Sequence, residues 1–121
     1  MPPFDWTFQA RLDRVVDGDT VYLVVDIGFG INWHADIRLL GINAPEVVGA
    51  SKADGLVAKA FAADWFAAAA SDGDWPLIVQ TTKWETGKFG RWLGVIWRRT
   101  TGECLNDLMV SSGHAVVYEV R

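Results

Sequence analysis

The sequence predicts a mainly β, α+β fold: a five-stranded Greek-key barrel, with one main helix between strands 3 and 4 and a short helix after strand 5. Three observations predict it. Five strand-like apolar segments are bounded by turns rich in Gly and Asp. One stretch of Ala and other helix formers separates the third segment from the fourth. Half of the 121 residues are hydrophobic and seven are Trp, which supplies a core for a single domain, expected over residues 1–121.

The elements follow in order. TFQARLDRVV (7–16) alternates loosely between apolar and polar residues, as a half-buried strand does. DGDT (17–20) is a turn signal, because Asp-Gly tolerates positive φ and joins antiparallel strands tightly. VYLVVDIGFG (21–30) is a second strand running into a Gly-punctuated turn, and WHADIRLLGI (33–42) is a third. In SKADGLVAKAFAADWFAAAAS, Val57, Phe61 and Trp65 recur at four-residue spacing, with Ala60 and Ala68 beside them, and predict the buried stripe of a helix. Ser51 is placed to cap its start and Gly73 to lie just past its end. WPLIVQTTKW (75–84) and RWLGVIWRR (91–99) are the fourth and fifth strands, joined by ETGKFG. CLNDLMVSSG (104–113) is a short helix stopped by Gly113, and HAVVYEVR ends the chain as an extended tail. A small five-stranded barrel with attached helices matches the oligonucleotide/oligosaccharide-binding (OB) type.

Composition narrows the function. Cys104 is the single cysteine, so no intrachain disulfide forms and stability rests on packing. MPPFDWTFQA lacks the basic region and apolar core of a secretory signal, and the greasiest stretch is broken by Lys59 and Asp64. A soluble protein without membrane partners is expected; its compartment stays open, with the cytoplasm of a bacterial or phage-infected cell favoured. The net charge of −4 opposes tight non-specific gripping of nucleic acid, which rests on phosphate neutralisation. It opposes an enzyme less, since a local cationic pocket suffices there. His34, Cys104 and His114 lack the spacing of a zinc site, and no Gly-Lys-Ser/Thr phosphate loop occurs. Trp65, Trp92 and Trp97 fall within helix or strand patterns and are expected to pack rather than to stack bases.

Acids and arginines gather at strand ends in three clusters: DGDT, RLLGINAPE and KFGRWLGVIW. Each alone has an ordinary explanation. DGDT makes a hairpin turn, Arg38 a surface ion pair, Glu46 a solvated turn residue, and Arg91 a partner for a neighbouring aromatic face. Taken together, RVVDGDTVYL, IRLLGINAPE, TGKFGRWLGVIW and LNDLMVSSGHAVV resemble, in order and spacing, the blocks of the staphylococcal nuclease family over roughly residues 10 to 117.

The resemblance implies an OB-fold enzyme that uses Ca²⁺ to hydrolyse phosphodiester bonds in single-stranded DNA or RNA, leaving 3′-phosphate ends. It implies Asp19, Asn43 and the carbonyl of Ala44 as metal ligands, with Asn43 standing where the family commonly has a second aspartate. It implies Arg38 and Arg91 as phosphate-binding arginines and Glu46 as the general base. Lys88, Phe89 and Tyr118 are the implied substrate contacts, with Phe89 where members often carry a tyrosine. The chemistry is coherent: a hard cation takes oxygen ligands, arginines fork onto phosphate oxygens, and a nearby carboxylate can deprotonate water. A catalytically weak or inactive OB module that binds nucleic acid or protein is the competing expectation. The loss of one metal-shell charge at Asn43 favours that alternative.

Overall fold

The computed structural model describes residues 6–83 and 92–118. Strands β1 (Thr7–Asp17), β2 (Thr20–Asp26), β3 (Asn32–Leu39), β5 (Leu77–Lys83) and β6 (Trp92–Arg98) close into a barrel in the order β1-β2-β3-β6-β5. β1 pairs with both β2 and β5, and β3 runs parallel to β6, so no barrel strand is left as an open edge. The predicted OB-type barrel is the architecture observed.

Strand alternation builds the core. Val21, Leu23 and Val25 of β2, Ala35, Ile37 and Leu39 of β3, Leu77 and Val79 of β5, and Ile96 of β6 point inward and are essentially inaccessible. Irregularities in β1 between Leu12 and Arg14, and between Val15 and Asp17, bend it so that one strand can serve both neighbours. Among the described residues, no helix is long and apolar enough to cross a membrane.

The third predicted strand is divided. β3 stops at Leu39, Gly41 adopts φ +81°, and a two-residue strand β4 (Ile42–Asn43) leaves the barrel to pair with β7 (Val116–Val117) in the tail. The apolar pattern runs unbroken through Leu39, Leu40 and Ile42, so the break is made by tertiary partners. The Leu40 amide donates to the Gly94 carbonyl, and the Asn106 side-chain amide donates to the Leu40 carbonyl.

Helix α1 (Lys52–Ala70) lies where predicted, after a short 3₁₀ turn at Gly49–Ser51, but its buried face is different. Gly55, Ala58, Ala62, Trp65, Phe66 and Ala69 face the protein, whereas Val57 is 56% exposed. Ala60 and Ala68 are exposed too, and Phe61 is only partly covered. Apolar residues occur on every side of this helix, so spacing of the bulky ones misidentifies the face. Close packing selects the small ones instead: a Cβ added to Gly18 would stand 2.9 Å from that of Ala58. Ser51 occupies the N-cap position without making a side-chain cap, and its hydroxyl donates to the Glu46 carbonyl instead. Gly73, with φ +134°, does follow the helix end.

The far end of α1 is clamped to β6. Arg98 donates from Nε and a terminal nitrogen to the two Asp72 oxygens at 2.7 and 2.8 Å, and the Thr100 hydroxyl donates to the same carboxylate. The Arg98 hydrogen bonds, followed by that of Thr100, draw the Asp72 carboxyl down from 3.8 to about 2. Because the folded value lies below the unfolded one, this carboxylate favours folding above about pH 4 and loses that effect as pH falls toward 2. Asp72→Asn is therefore expected to lower the urea midpoint at pH 7, with the gap from wild type narrowing between pH 4 and 2. An equal gap at both ends of that range would remove Asp72 as its source.

Candidate active site

The β1–β2 hairpin brings Asp17 level with Thr20 and ends the barrel in Asp17-Gly18-Asp19. Gly18 has no room for a side chain: a Cβ there would stand 2.8 Å from Ala44 Cβ. The hairpin therefore packs directly beneath the Asn43–Ala44 turn. β3 delivers Arg38 opposite Thr20, and β4 carries Asn43 and Ala44 back over Asp19.

Asp19 is the anchor. It is only 3% exposed, and each carboxylate oxygen is held. Oδ1 accepts from the Thr20 hydroxyl at 3.1 Å, while Oδ2 accepts from the Ala44 amide at 2.8 Å and lies 3.4 Å from an Arg38 nitrogen. A second Arg38 nitrogen donates to Asn43 Oδ1 at 2.9 Å, and more distantly to the Ile42 carbonyl. The guanidinium thus spans the aspartate and the carboxamide. The guanidinium carbon also lies 5.8 Å from the centroid of the Tyr118 ring, and the Tyr118 amide is tied to the Gly41 carbonyl.

These groups line one cleft of about 150 Å³, bounded by Val16, Asp17, Asp19, Thr20, Arg38, Asn43, Ala44 and Glu46. Glu46 stands at its exposed rim. The structure accordingly brings together Asp19, Arg38, Asn43, Ala44 and Glu46, with Tyr118 beside Arg38. Arg91, Lys88 and Phe89 lie outside the described residues.

Asp17 was missed as anything but a turn residue. It faces the same cleft, and its carboxyl is pushed up from 3.8 to about 6, first by burial and then by the hydrogen bond and negative charge of Asp19. Two acids straddling one glycine were the available signal. Burial, which turns that pair into a strained concentration of charge, is not written in the sequence.

Donor chemistry in the cleft suits a hard divalent cation. Every side chain there able to ligate does so through oxygen: the carboxylates of Asp17, Asp19 and Glu46, the Asn43 carboxamide and the Thr20 hydroxyl. Three carboxylates against the Arg38 cation leave the described cleft negative when all are ionised. Among the described residues no three His, Cys, Asp or Glu side chains form a ready-made metal cage. A cation would accordingly draw on the carboxamide and main-chain carbonyls as well.

A model of the family described as staphylococcal nuclease homologue matches residues 36–121. The chain belongs to the staphylococcal nuclease homologue family. The matched segment of this nuclease homologue contains Arg38, Asn43, Ala44, Glu46, Lys88, Phe89, Arg91 and Tyr118. Asp17 and Asp19 precede it, and their connection to the rest of the site comes from the hydrogen bonds and the shared cleft just described. No curated protein matches this chain.

Proposed function

We propose that this nuclease homologue is a metal-dependent nuclease that hydrolyses phosphodiester bonds in single-stranded DNA or RNA with little sequence specificity. The observation that carries the reading is the single cleft in which a buried, fully hydrogen-bonded Asp19 meets Arg38, Asn43, Ala44 and Glu46. Asp19, Asn43 and the Ala44 carbonyl would hold Ca²⁺, which when bound withdraws charge from the phosphate. Arg38, already oriented by Asp19 and Asn43, would donate to phosphate oxygens and stabilise the charge growing on them. Arg91 would act with it. Glu46 would take the proton of the attacking water, and its place at an exposed rim gives that water access. Tyr118 beside Arg38, together with Lys88 and Phe89, would contact the flanking strand. A 3′-phosphate product accords with the family.

Incubating single-stranded DNA and RNA with Ca²⁺, and in parallel with EDTA, tests this directly. Cleavage only with the metal is expected. Intact substrate across Ca²⁺, Mg²⁺ and Mn²⁺, from folded protein, would favour the second reading, a binding module with a retired site. That alternative draws on one contact: the Asn43 oxygen is already engaged by Arg38.

Asn43 also sets the expected metal affinity. Restoring a carboxylate in Asn43→Asp adds an attraction of up to ~4 kcal/mol for a unit pair at about 4 Å and an effective dielectric of about 20, before desolvation. Arg38 would compete for the new charge and offset much of this. A tenfold or greater fall in the Ca²⁺ Kd, on the order of 1.4 kcal/mol, is expected by calorimetric titration. An unchanged Kd would remove residue 43 from the ligand set.

A further inference from the structure

Gly55 lies in the first turns of α1 and is buried, yet it is not among the positive-φ glycines. Helical backbone at that position would accept alanine, and alanine is the stronger helix former. Glycine there needs a different cause, and its surroundings supply one. A Cβ at residue 55 would stand 2.0 Å from the Glu46 carbonyl oxygen, 2.4 Å from the Glu46 carbonyl carbon and 2.8 Å from the Val47 nitrogen.

All three are main-chain atoms. The other crowded glycines differ: Gly18 meets side-chain atoms of Ala44, Ala58 and Met109, and the nearest neighbour of Gly94 is a methyl of Ile37. Side chains can rotate or be trimmed, whereas the main chain of residue 46 can only be displaced. Ser51, at the start of the same helix, donates its hydroxyl to that same Glu46 oxygen at 3.3 Å.

We propose that Gly55 is a positioning residue for Glu46: its bare Cα lets α1 seat the Glu46 main chain, and through it the carboxylate, at the rim of the cleft. This rests on the reading of Glu46 as the water-activating base. The segment is held on its other side by the Ala44 amide bonded to Asp19, and Pro45 between them has a fixed φ. A push at residue 46 therefore cannot be spread evenly along the turn. Clearing a new methyl group requires the Glu46 carbonyl to retreat by about 1 Å or more, a displacement that can cost on the order of 10²-fold in rate when it misplaces a reacting group.

The test is Gly55→Ala in the full chain, assayed on single-stranded DNA with Ca²⁺, alone and in a Glu46→Ala background. In the wild-type background kcat is expected to fall ten- to a hundredfold, with KM and the Ca²⁺ Kd within twofold. In the Glu46→Ala background the same change is expected to alter the residual rate less than twofold, because the group being positioned is gone. Equal losses in both backgrounds, or an unchanged kcat, would overturn the proposal. Amide resonances of Glu46 and Val47 are expected to shift in Gly55→Ala while those of Leu23 and Val25 stay in place. Unmoved Glu46 and Val47 resonances would also overturn it. An inactive wild-type chain would refute the nuclease reading by itself, and the resonances would then decide the seating of Glu46 independently. Should Gly55→Ala fail to fold, Ser51→Ala removes the second contact to the same oxygen without adding atoms. A kcat loss of a few fold, absent in the Glu46→Ala background, is its supporting result; no loss would overturn the proposal.

Discussion

Glu46→Gln is expected to slow single-turnover cleavage of single-stranded DNA by about 10²- to 10⁴-fold, the usual contribution of a positioned general base. The substitution keeps the shape of the side chain and replaces a carboxylate, with its charge and its capacity to take a proton, by a neutral carboxamide. Glu46 is exposed, so the change should leave the unfolding free energy within about 0.5 kcal/mol of wild type. Neither its main-chain contact with Gly55 nor the Ser51 hydroxyl bonded to its carbonyl involves the carboxylate. Loss of rate with a preserved melting curve would therefore report chemistry rather than folding. Retention of full rate would dismiss Glu46 as the base. Attention would pass to Asp17, the cleft carboxylate whose Oδ1 accepts from the Asp19 amide at 3.2 Å and whose proton affinity is raised by burial and by Asp19.

What could be read in advance follows the range over which each feature is encoded. Val21, Leu23 and Val25 alternate within five residues, and that local period was enough to place β2 and, with its neighbours, the barrel. Arg38, Asn43, Ala44 and Glu46 fall within nine consecutive residues, so a strand followed by a turn was bound to present them together. Their meeting with Asp19 was inferable only from family order. In the structure it is made by a hydrogen bond across 25 positions of chain, from the Ala44 amide to the Asp19 carboxylate.

The misreadings share a cause. Of the bulky residues at four-residue spacing, Trp65 is buried, Phe61 is half-buried and Val57 is exposed, because the face of α1 is set by where the barrel and the Glu46 main chain leave least room, and that requirement favours Gly55, Ala58 and Ala62. Close approach is a property of pairs of elements, not of one periodic segment. Likewise the break at Gly41 and the pairing of Val116–Val117 with Ile42–Asn43 depend on partners more than fifty residues away. Asp17 has an acidic side chain at any turn, but only burial beside Asp19 raises its proton affinity.

Asn106→Ala is expected to lower stability by about 3 kcal/mol, by leaving buried backbone groups without partners. Asn106 is 4% exposed and uses both ends of its carboxamide. Oδ1 accepts from the Ile96 amide at 3.1 Å, while Nδ2 donates to the carbonyls of Leu40 at 2.9 Å and Gly94 at 3.0 Å. Gly94 keeps a second donor in the Leu40 amide, so its loss is tolerable. Ile96 is fully buried in β6, and its amide would find no water. For a domain of this size the melting temperature should fall on the order of 10 °C. Asn106→Leu separates the causes, because it restores volume without restoring hydrogen bonds. If the leucine variant melts as low as the alanine variant, the unpaired backbone groups are responsible; if it recovers, the cavity was. Leu40 lies between Arg38 and the turn that carries Asn43, so the same substitution also removes one of the two hydrogen bonds that hold the point where the chain leaves the barrel. A weaker Ca²⁺ affinity should then accompany the lost stability, although Asn106 itself does not line the cleft.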